Sequence, residues 1–297
     1  MQNQAAGLDK LLADLERDSE SRAIQGDWGA TKIIAITSGK GGVGKSTISA
    51  NLSYTLWDMG YKVGVFDADI GLANLDVIFG VKATQNLLDV LQGRANLNDI
   101  IIPLESGLSL IPGYTGEEIL QYDERVVANL QSDILDNLDF LIIDTGAGIA
   151  KNVQRFIEIS NYLIVVTQPD PSAMTDAYAS IKVASKNKNK IFLIINQSKG
   201  LREADSIFSR IQTVASANIP HLELQMLGKI PTSDIITQSS RSRKLFAKLF
   251  PQSPPTASIQ TIARNLVQSI GESVEQNMLL NNENRFNRFV RNLLYRF

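Results

Sequence analysis

The residues with the clearest chemistry are Gly39–Ser46, which read GKGGVGKS. They satisfy the pattern G-x-x-x-x-G-K-[ST], in which glycines let backbone N–H groups approach phosphate oxygens without a Cβ clash. An apolar stretch at Ile33–Thr37 precedes them, and a helix-forming stretch at Lys45–Met59 follows. The motif requires this strand–loop–helix context, because the helix N-terminus adds a partial positive charge next to the phosphates. The pattern therefore predicts a phosphate-binding loop and not merely a glycine-rich turn.

Each polar side chain of this loop has an expected task. Lys45 is expected to reach the β- and γ-phosphates, Ser46 to ligate Mg²⁺, and Thr47 to lie near the α-phosphate. A second lysine, Lys40, has no obvious task in its own subunit, since Lys45 already serves the phosphates. The predicted nucleotide-binding residues of the loop are Gly39, Lys40, Gly41, Gly42, Val43, Gly44, Lys45, Ser46 and Thr47.

Carboxylates follow two further apolar stretches. Val63–Asp67 continues into Asp69, and alternation along an extended chain places Asp67 and Asp69 on one side. Phe140–Asp144 predicts a buried strand that delivers one carboxylate, and Asp144 is expected to hold Mg²⁺ through water. Ligand sites of α/β proteins form at the carboxyl ends of strands, so these acids are candidate site residues; a solvated strand end is the alternative for the first pair. The glycines of Thr145–Gly148 would permit a backbone change when a γ-phosphate is lost.

The scaffold for these residues is predicted to be α/β. Apolar runs alternate with longer helical stretches, which indicates a mostly parallel sheet with helices on both faces and right-handed connections. The predicted strands are Ile33–Thr37, Val63–Asp67, Leu108–Pro112, Phe140–Asp144, Tyr162–Thr167, Ile191–Asn196 and Leu224–Ile230. The predicted helices are Lys45–Met59, Glu124–Leu135, Ile149–Ile159, Ser172–Lys186, Arg202–Ala217 and about Thr256–Ile270.

Composition excludes several classes of protein. The net charge of −2 disfavours a general nucleic-acid binder. The chain has no cysteine, which excludes disulfides, thiolate zinc sites and iron–sulfur clusters, and a single histidine, His221, cannot build a histidine metal cluster. No apolar run reaches the ~20 residues of a membrane-spanning helix, and the N-terminus lacks the apolar segment of a secretory signal. A cytoplasmic location is expected.

The chain divides into four segments. Residues 1–30 read as a short helix and linker, 31–275 as the nucleotide-binding domain, 276–284 as a polar spacer and 285–297 as an amphipathic tail. The tail has an apolar stripe at helical spacing and an arginine-rich remainder, which is typical of a helix lying in a membrane interface. A terminal helix docked on the protein itself and a basic partner-binding helix are the alternatives. The stripe is Phe286, Phe289, Val290, Leu293, Leu294 and Phe297; the arginines are Arg285, Arg288, Arg291 and Arg296.

Residues 40–47 resemble the deviant Walker A pattern K-G-G-x-G-K-[ST]-T of MinD, ParA and their relatives. The resemblance implies a P-loop ATPase that binds ATP and Mg²⁺ and forms a homodimer, in which Lys40 crosses to the partner's nucleotide. It also implies that Asp69 orients the attacking water, that Asp67 supports Mg²⁺, and that Lys40, Lys45 and Asp69 are the catalytic residues. Asn196 and Pro231 would contact the base, although Asn196 is equally typical of a turn.

Two longer stretches indicate one branch of these ATPases. Residues 67–77 (DADIGLANLDV) and 169–178 (PDPSAMTDAY) are similar to the FlhG/FleN family, and the similarity covers about residues 31–270. This implies control of the number and placement of flagella. Gln4, Ala5 and Leu8 resemble the family's D-Q-A-x-x-L-R element, which contacts the GTPase FlhF. Asn3 and Asp9 depart from that element, and an ordinary leader helix is the alternative.

These observations together predict a slow, dimer-dependent ATPase that acts as a switch. Its ATP-bound dimer would attach to the anionic inner face of the cell membrane through residues 285–297, and hydrolysis would release it. The alternatives are a MinD-type division-site regulator, a ParA-like DNA-partitioning ATPase and a small-molecule kinase. The near-neutral charge and the aromatic tail disfavour DNA partitioning. In a small-molecule kinase, Lys40 would have no function.

Overall fold

The computed structural model describes residues 31–69, 74–113 and 138–271. Residues 31–268 form one compact unit. The strands are β1 (Lys32–Ser38), β2 (Val63–Ala68), β3 (Ile102–Glu105), β4 (Leu108–Ile111), β5 (Phe140–Ala147), β6 (Tyr162–Thr167), β7 (Lys190–Ser198) and β8 (Glu223–Pro231). They form an eight-stranded sheet in the order β3-β4-β2-β5-β1-β6-β7-β8.

The sheet is parallel except at one edge. β1 and β5 to β7 are almost entirely buried, which explains why these strands read as continuous apolar runs without alternation. β3 pairs with β4 in the antiparallel direction and carries Pro103, a residue that suits an edge because it has no N–H to donate to a neighbour. The predicted mostly parallel α/β sheet is confirmed.

The helices follow the strands along the chain. They are α1 (Lys45–Asp58), α2 (Leu75–Phe79), α3 (Leu87–Leu91), α4 (Leu97–Ile100), α5 (Lys151–Ile159), α6 (Pro171–Ala184), α7 (Leu201–Asn218), α8 (Asp234–Arg241) and α9 (Phe246–Leu249), with α10 over residues 254–271. Asp170 caps α6 by accepting a hydrogen bond from the Ala173 N–H, and Pro171 occupies the first turn, where its missing donor costs nothing. This helix start is important because it lies beside the phosphate-binding loop.

Most predicted elements lie within two residues of the observed ones. All seven predicted strands are present, and β5 continues three residues beyond Asp144, so that Thr145 and Gly146 belong to the strand. The prediction for Glu124–Leu135 lies outside the described residues. The sequence did not predict β3 or helices α2 to α4, α8 and α9, because elements of four to eight residues are too short for a periodic pattern to stand out.

The strand register positions the candidate site. Asp67 of β2 lies directly opposite Asp144 of β5, so their carboxyl groups emerge from neighbouring strands at the same edge of the sheet. Behind this edge, buried side chains of β1, β6 and β7 pack against α5, α6 and α7 in one cluster. Asp67 and Asp144 therefore stand on buried strands at this edge of the sheet.

Candidate nucleotide-binding site

The loop between β1 and α1 has the backbone shape that its glycines permit. Gly42 and Gly44 have φ values of 81° and 89°, a region that side chains with a Cβ rarely adopt, and Gly44 directly precedes α1. A Cβ on Gly41 or Gly42 would meet no atom within 4 Å, so the loop leaves open space beside the helix N-terminus. The α1 N-terminus has no side-chain cap, which leaves backbone donors available for an anion.

Gly39 serves a different purpose. A Cβ on this residue would lie 2.0 Å from the carbonyl carbon of Asp176, so the start of the loop packs directly on the backbone of α6. Only glycine allows this approach. The contact joins the phosphate loop to α6, a connection that the motif itself does not reveal.

Lys45 is held by carboxylates. Its Nζ lies 2.9 Å from Oδ1 of Asp144 and 3.7 Å from Oδ2 of Asp69. The side chains of Lys45 and Asp144 are 7% and 0% exposed, and Ser49 donates a second hydrogen bond, 2.8 Å long, to the same Asp144 oxygen. The same ammonium lies 3.4 Å from Oγ of Ser46. The structure therefore brings the predicted phosphate, magnesium and water-orienting residues together at one point.

Asp67 has a role that the sequence did not predict. Its carboxylate accepts hydrogen bonds from the backbone N–H groups of Asp69, Asn74 and Leu75, so it fixes both ends of the segment that follows β2. Burial raises the pKa of Asp67 to about 6, with a further increase from the Asp144 charge, and the three N–H donors oppose this shift.

Gly113, which the sequence analysis missed, packs on the carbonyl oxygen of Asp67. A Cβ there would approach that oxygen to 1.8 Å, so glycine is required. A lone glycine after a strand carries no specific signal, and the chain order gives no reason to connect it with Asp67. The close contact fixes the end of β2, from which the two carboxylates project.

Asp69 lies in a mixed environment. Burial raises the pKa of its carboxyl group, and the ammonium of Lys45 counteracts that increase. Its Oδ1 would be 3.3 Å from a Cβ on Gly146, so the segment after Asp144 lies against it. Gly148 then donates a 2.7 Å hydrogen bond to the carbonyl of Ser38, which ties the same segment to the start of the phosphate loop.

The donor set suits magnesium only when a nucleotide contributes ligands. Oδ2 of Asp144 is buried and has no hydrogen-bond partner among the residues that the structure describes. Across residues 31–69, 74–113 and 138–271, no group of three or more acidic, histidine or cysteine side chains could hold a metal ion alone. Mg²⁺ in nucleotide sites uses one or two carboxylates together with phosphate oxygens and water. Ser46 and Asp144, the predicted ligands that adjoin Lys45, therefore fit a magnesium–nucleotide complex.

Asn196 has a fixed orientation. Its Nδ2 donates a 2.8 Å hydrogen bond to the carbonyl of Val43, while Oδ1 is buried without a partner in the described part of the chain. The side chain is 6% exposed and closes on the loop so tightly that a Cβ on Gly44 would lie 2.3 Å from Nδ2. Pro231, the other predicted base contact, ends β8 opposite Ser198, two residues beyond Asn196. The pattern is that of a strand-end residue built into the site, not of a free turn.

Lys40 is bonded to the start of α6, whereas Asp69 and Asp144 pair with Lys45. Its Nζ donates hydrogen bonds to Ser172 Oγ at 2.7 Å and Asp170 Oδ2 at 3.2 Å, and the side chain remains 43% exposed. Hydrogen bonds from Ser172, from the Ala173 N–H and from Lys40 lower the pKa of Asp170 to about 2. The two lysines of the loop thus have separate partners.

Several predictions concern residues outside the described part of the chain. These are the FlhF contact at Gln4, Ala5 and Leu8, the segment 70–73, and the tail 285–297 with its aromatic and arginine residues. Among the helices that the structure does describe, none combines the length and the apolar character needed to cross a membrane.

The fold and the site define a P-loop NTPase with a second lysine in its phosphate loop. A family model described as ParA, NUBPL iron-transfer P-loop NTPase, matches residues 29–267. The flagellum site-determining protein YlxH of Helicobacter pylori is 49% identical over 274 residues, which cover 91% of this chain and 92% of that protein. The antiactivator FleN of Pseudomonas aeruginosa is 30% identical over 81% of this chain and 88% of FleN.

Solved structures agree with this assignment. The septum site-determining protein MinD of Pyrococcus horikoshii, complexed with Mg-ADP, superposes with a TM-score of 0.68 at 28% identity and covers 80% of this chain and 96% of MinD. The chain belongs to the MinD/ParA family of P-loop ATPases, and within it to the YlxH/FleN branch. It has no cysteine, so the thiolate ligands of an iron–sulfur cluster are missing.

Proposed function

We propose that this protein is a nucleotide-dependent dimerisation switch that hydrolyses ATP slowly and regulates flagellar number and placement from the membrane surface. The observation that carries the proposal is the difference between the two lysines of one loop. Lys45 is buried against Asp144, whereas Lys40 is exposed and bonded to the first turn of α6. A lysine with exposed, replaceable partners is free to be exchanged to the phosphates of a second subunit, where it would act like an arginine finger in trans.

The chain's own residues have distinct tasks in the proposed hydrolysis. When bound, Mg²⁺ would neutralise charge on the β- and γ-phosphates, held by Ser46 and by Asp144 through water. Lys45 would leave its carboxylate partners for the phosphates, and Asp69, 3.7 Å from Lys45, would then be free to orient water. Asp67 fixes the segment that carries Asp69 through its three backbone hydrogen bonds. Removal of one γ-phosphate would therefore alter the contacts of several segments at once.

The orientation of Asn196 supports adenine as the base. Nδ2 donates to the Val43 carbonyl, and the buried Oδ1 has no partner among the described residues; a carbonyl oxygen can accept but not donate a hydrogen bond. An exocyclic amino group, as on adenine, satisfies this acceptor, whereas the keto oxygen of guanine at the same position does not. An unsatisfied buried acceptor costs about 1–3 kcal/mol, enough for a ten- to hundredfold preference.

Dimerisation would control membrane attachment through the tail, residues 285–297. Each basic residue near an anionic surface contributes about 1 kcal/mol, but ordering a helix opposes binding. One tail therefore binds weakly, and joining two tails in a dimer strengthens attachment by roughly 10²–10⁴ without a new kind of lipid contact. The protein would be cytoplasmic and, with ATP, peripheral on the inner face of the cell membrane.

The proposed biological role rests on the named relatives. Both YlxH, a flagellum site-determining protein, and FleN, an antiactivator, align along most of this chain. We infer that the present chain acts in the same process, with FlhF as partner through Gln4, Ala5 and Leu8. MinD similarity also favours a second candidate, division-site placement. Deleting the gene separates the two: altered flagellar number supports the first role, and minicells support the second.

Light scattering with purified full chain tests the switch itself. The variant Asp69→Ala, in which hydrolysis is blocked, should dimerise with ATP and Mg²⁺ but not with ADP. Adding Lys40→Ala to the Asp69→Ala variant should weaken that dimer. Lys40→Ala alone, with Asp69 intact, should lower the ATPase rate. Lys182→Ala, which removes an exposed lysine on α6, is the control and should change neither property. A chain that stays monomeric with ATP, or full activity in Lys40→Ala, would refute the proposal.

A further inference from the structure

Four exposed cations lie near the point where the end of α2 meets the end of α8. Arg241, Arg243 and Lys244 lie at the end of α8, and Lys82 lies three residues beyond the end of α2. The two helix ends touch, since a Cβ on Gly80 would lie 2.9 Å from the carbonyl oxygen of Arg243. We call these four residues the basic patch. None of them pairs with a carboxylate in the described part of the chain, although acidic residues outnumber basic ones overall, 31 to 29.

The backbone at Arg243 is unusual. α8 ends with hydrogen bonds from the Arg243 N–H to Ser240 and from the Lys244 N–H to Ser239, the arrangement in which the residue after the cap takes a left-handed conformation. The corresponding residues of α1, α2 and α3 are Gly60, Gly80 and Gly93, with φ values of 96°, 69° and 70°. In α8 this position is held by Arg243 at φ 51°.

An arginine is unfavourable in this conformation, because its Cβ approaches the following carbonyl oxygen. Glycine would relieve that strain, as it does at the ends of α1, α2 and α3. The strained residue is also exposed, so packing gives no reason for its side chain. Strain at an exposed residue points to a role for the side chain outside the folded chain.

We propose that the basic patch binds an anionic lipid surface. Four exposed cations that pair with no described carboxylate match a surface of negative headgroups, and each contributes electrostatic attraction. Val77, one turn before Gly80, is 46% exposed, and an apolar side chain beside cations suits the interface of a bilayer better than the phosphate edge of a nucleic acid. The inference deepens the proposed membrane association, because it adds a contact from the folded domain to that of the tail.

Flotation of the full chain with ATP and Mg²⁺ on vesicles of equal parts phosphatidylglycerol and phosphatidylcholine measures this contact. The variant Arg241→Glu, Arg243→Glu, Lys244→Glu should bind at least about tenfold more weakly, given the loss of several cation–lipid contacts. The control variant Lys182→Glu, Lys186→Glu, Arg210→Glu has the same net charge and changes exposed cations elsewhere, and it should bind normally. Equal loss of vesicle binding in both variants, or no loss in either, overturns the proposal that the basic patch binds lipid.

Arg243→Gly gives a test that does not depend on a charge reversal. This variant should melt at a higher temperature, since glycine suits the left-handed conformation, and yet bind vesicles about fivefold more weakly. Arg243→Lys should retain binding. Unchanged binding by a stabilised Arg243→Gly protein overturns the proposal. Duplex DNA is the second ligand: if patch variants lose DNA binding and keep vesicle binding, the partner is nucleic acid and the lipid assignment is wrong.

A chain truncated before Arg285 separates this inference from the proposed function. If truncation abolishes vesicle binding while the patch variants bind normally, the tail binds the membrane and the basic patch does not. If truncation leaves residual binding that the patch variants remove, both contacts are supported. If truncation has no effect while the patch variants lose binding, the basic patch binds the membrane and the tail does not.

Discussion

The buried pair of Lys45 and Asp144 makes a strong prediction about the nucleotide-free protein. Replacing Lys45 with methionine keeps an unbranched side chain, one atom shorter, but removes its charge. Asp144, which is 0% exposed, then keeps only the hydrogen bond from Ser49. Removing one partner of a buried ion pair costs about 3–5 kcal/mol, because the other charge stays buried without compensation. In a domain of this size each kcal/mol shifts the melting temperature by about 2–4 °C, so Lys45→Met should lower it by roughly 6–20 °C.

The double variant Lys45→Met, Asp144→Asn supplies the decisive comparison. With both charges gone, the cost of an unpaired buried carboxylate disappears, and most of the lost stability should return. Lys190→Met is the control. Its partner Glu223 lies 2.8 Å away but is 62% exposed, and exposed pairs contribute less than about 1 kcal/mol.

Urea unfolding without nucleotide or Mg²⁺ measures the free energy of unfolding of the native chain, Lys45→Met, the double variant and Lys190→Met. A cost below about 1 kcal/mol for Lys45→Met would mean that the Lys45 charge adds no more to stability than an exposed pair does. A double variant as unstable as Lys45→Met would mean that the lysine stabilises by packing alone. Either result contradicts the charge-pair interpretation.

Three further predictions concern other parts of the site. The folded state binds the Asp67 proton more tightly than the unfolded chain, since the pKa is raised from 3.8 to about 6. The stability that this proton adds is complete below pH 3.8 and is lost as the pH rises through 6, and Asp67→Asn should flatten this part of the stability–pH profile in urea titrations. Gly44→Ala should destabilise by about 1–2 kcal/mol, because φ is 89° and its Cβ would meet Asn196, while Gly41→Ala, which meets nothing, should be close to neutral in the same assay. Asp170→Ala removes the ion pair of Lys40 and leaves its hydrogen bond to Ser172, so the ATP-dependent dimer should form at lower protein concentration in light scattering; an unchanged concentration would show that the ion pair does not restrain Lys40.

The link between the phosphate loop and α6 gives these predictions a common structural basis. Gly39 packs on the backbone of α6, and Lys40 is bonded to its first turn. Binding of phosphates would alter the position of both residues, so that α6 is well placed to sense the nucleotide. Hydrogen exchange of α6 amides with and without ATP measures this coupling directly.

Sequence alone determined the phosphate loop, the sheet and the two acidic strand ends. These follow from local rules: glycines that permit left-handed backbone, a helix start with free donors, and apolar runs too continuous for anything but buried parallel strands. Lys45, Ser46 and Asp144 could be assigned tasks because strand ends of a parallel sheet lie at one edge, whatever the distance along the chain. The register of Asp67 with Asp144 confirms that reasoning.

Only the tertiary structure decided the partners of those residues. The ion pair of Lys40 with Asp170 spans 130 residues, and the approach of Gly113 to Asp67 depends on strand order, so no local pattern contains either contact. The left-handed conformation of Arg243 was equally hidden, since an arginine at this position disfavours it. Periodicity and motifs report what a residue and its near neighbours prefer, whereas packing between distant segments determines which charge is buried, which is exposed and which backbone is strained.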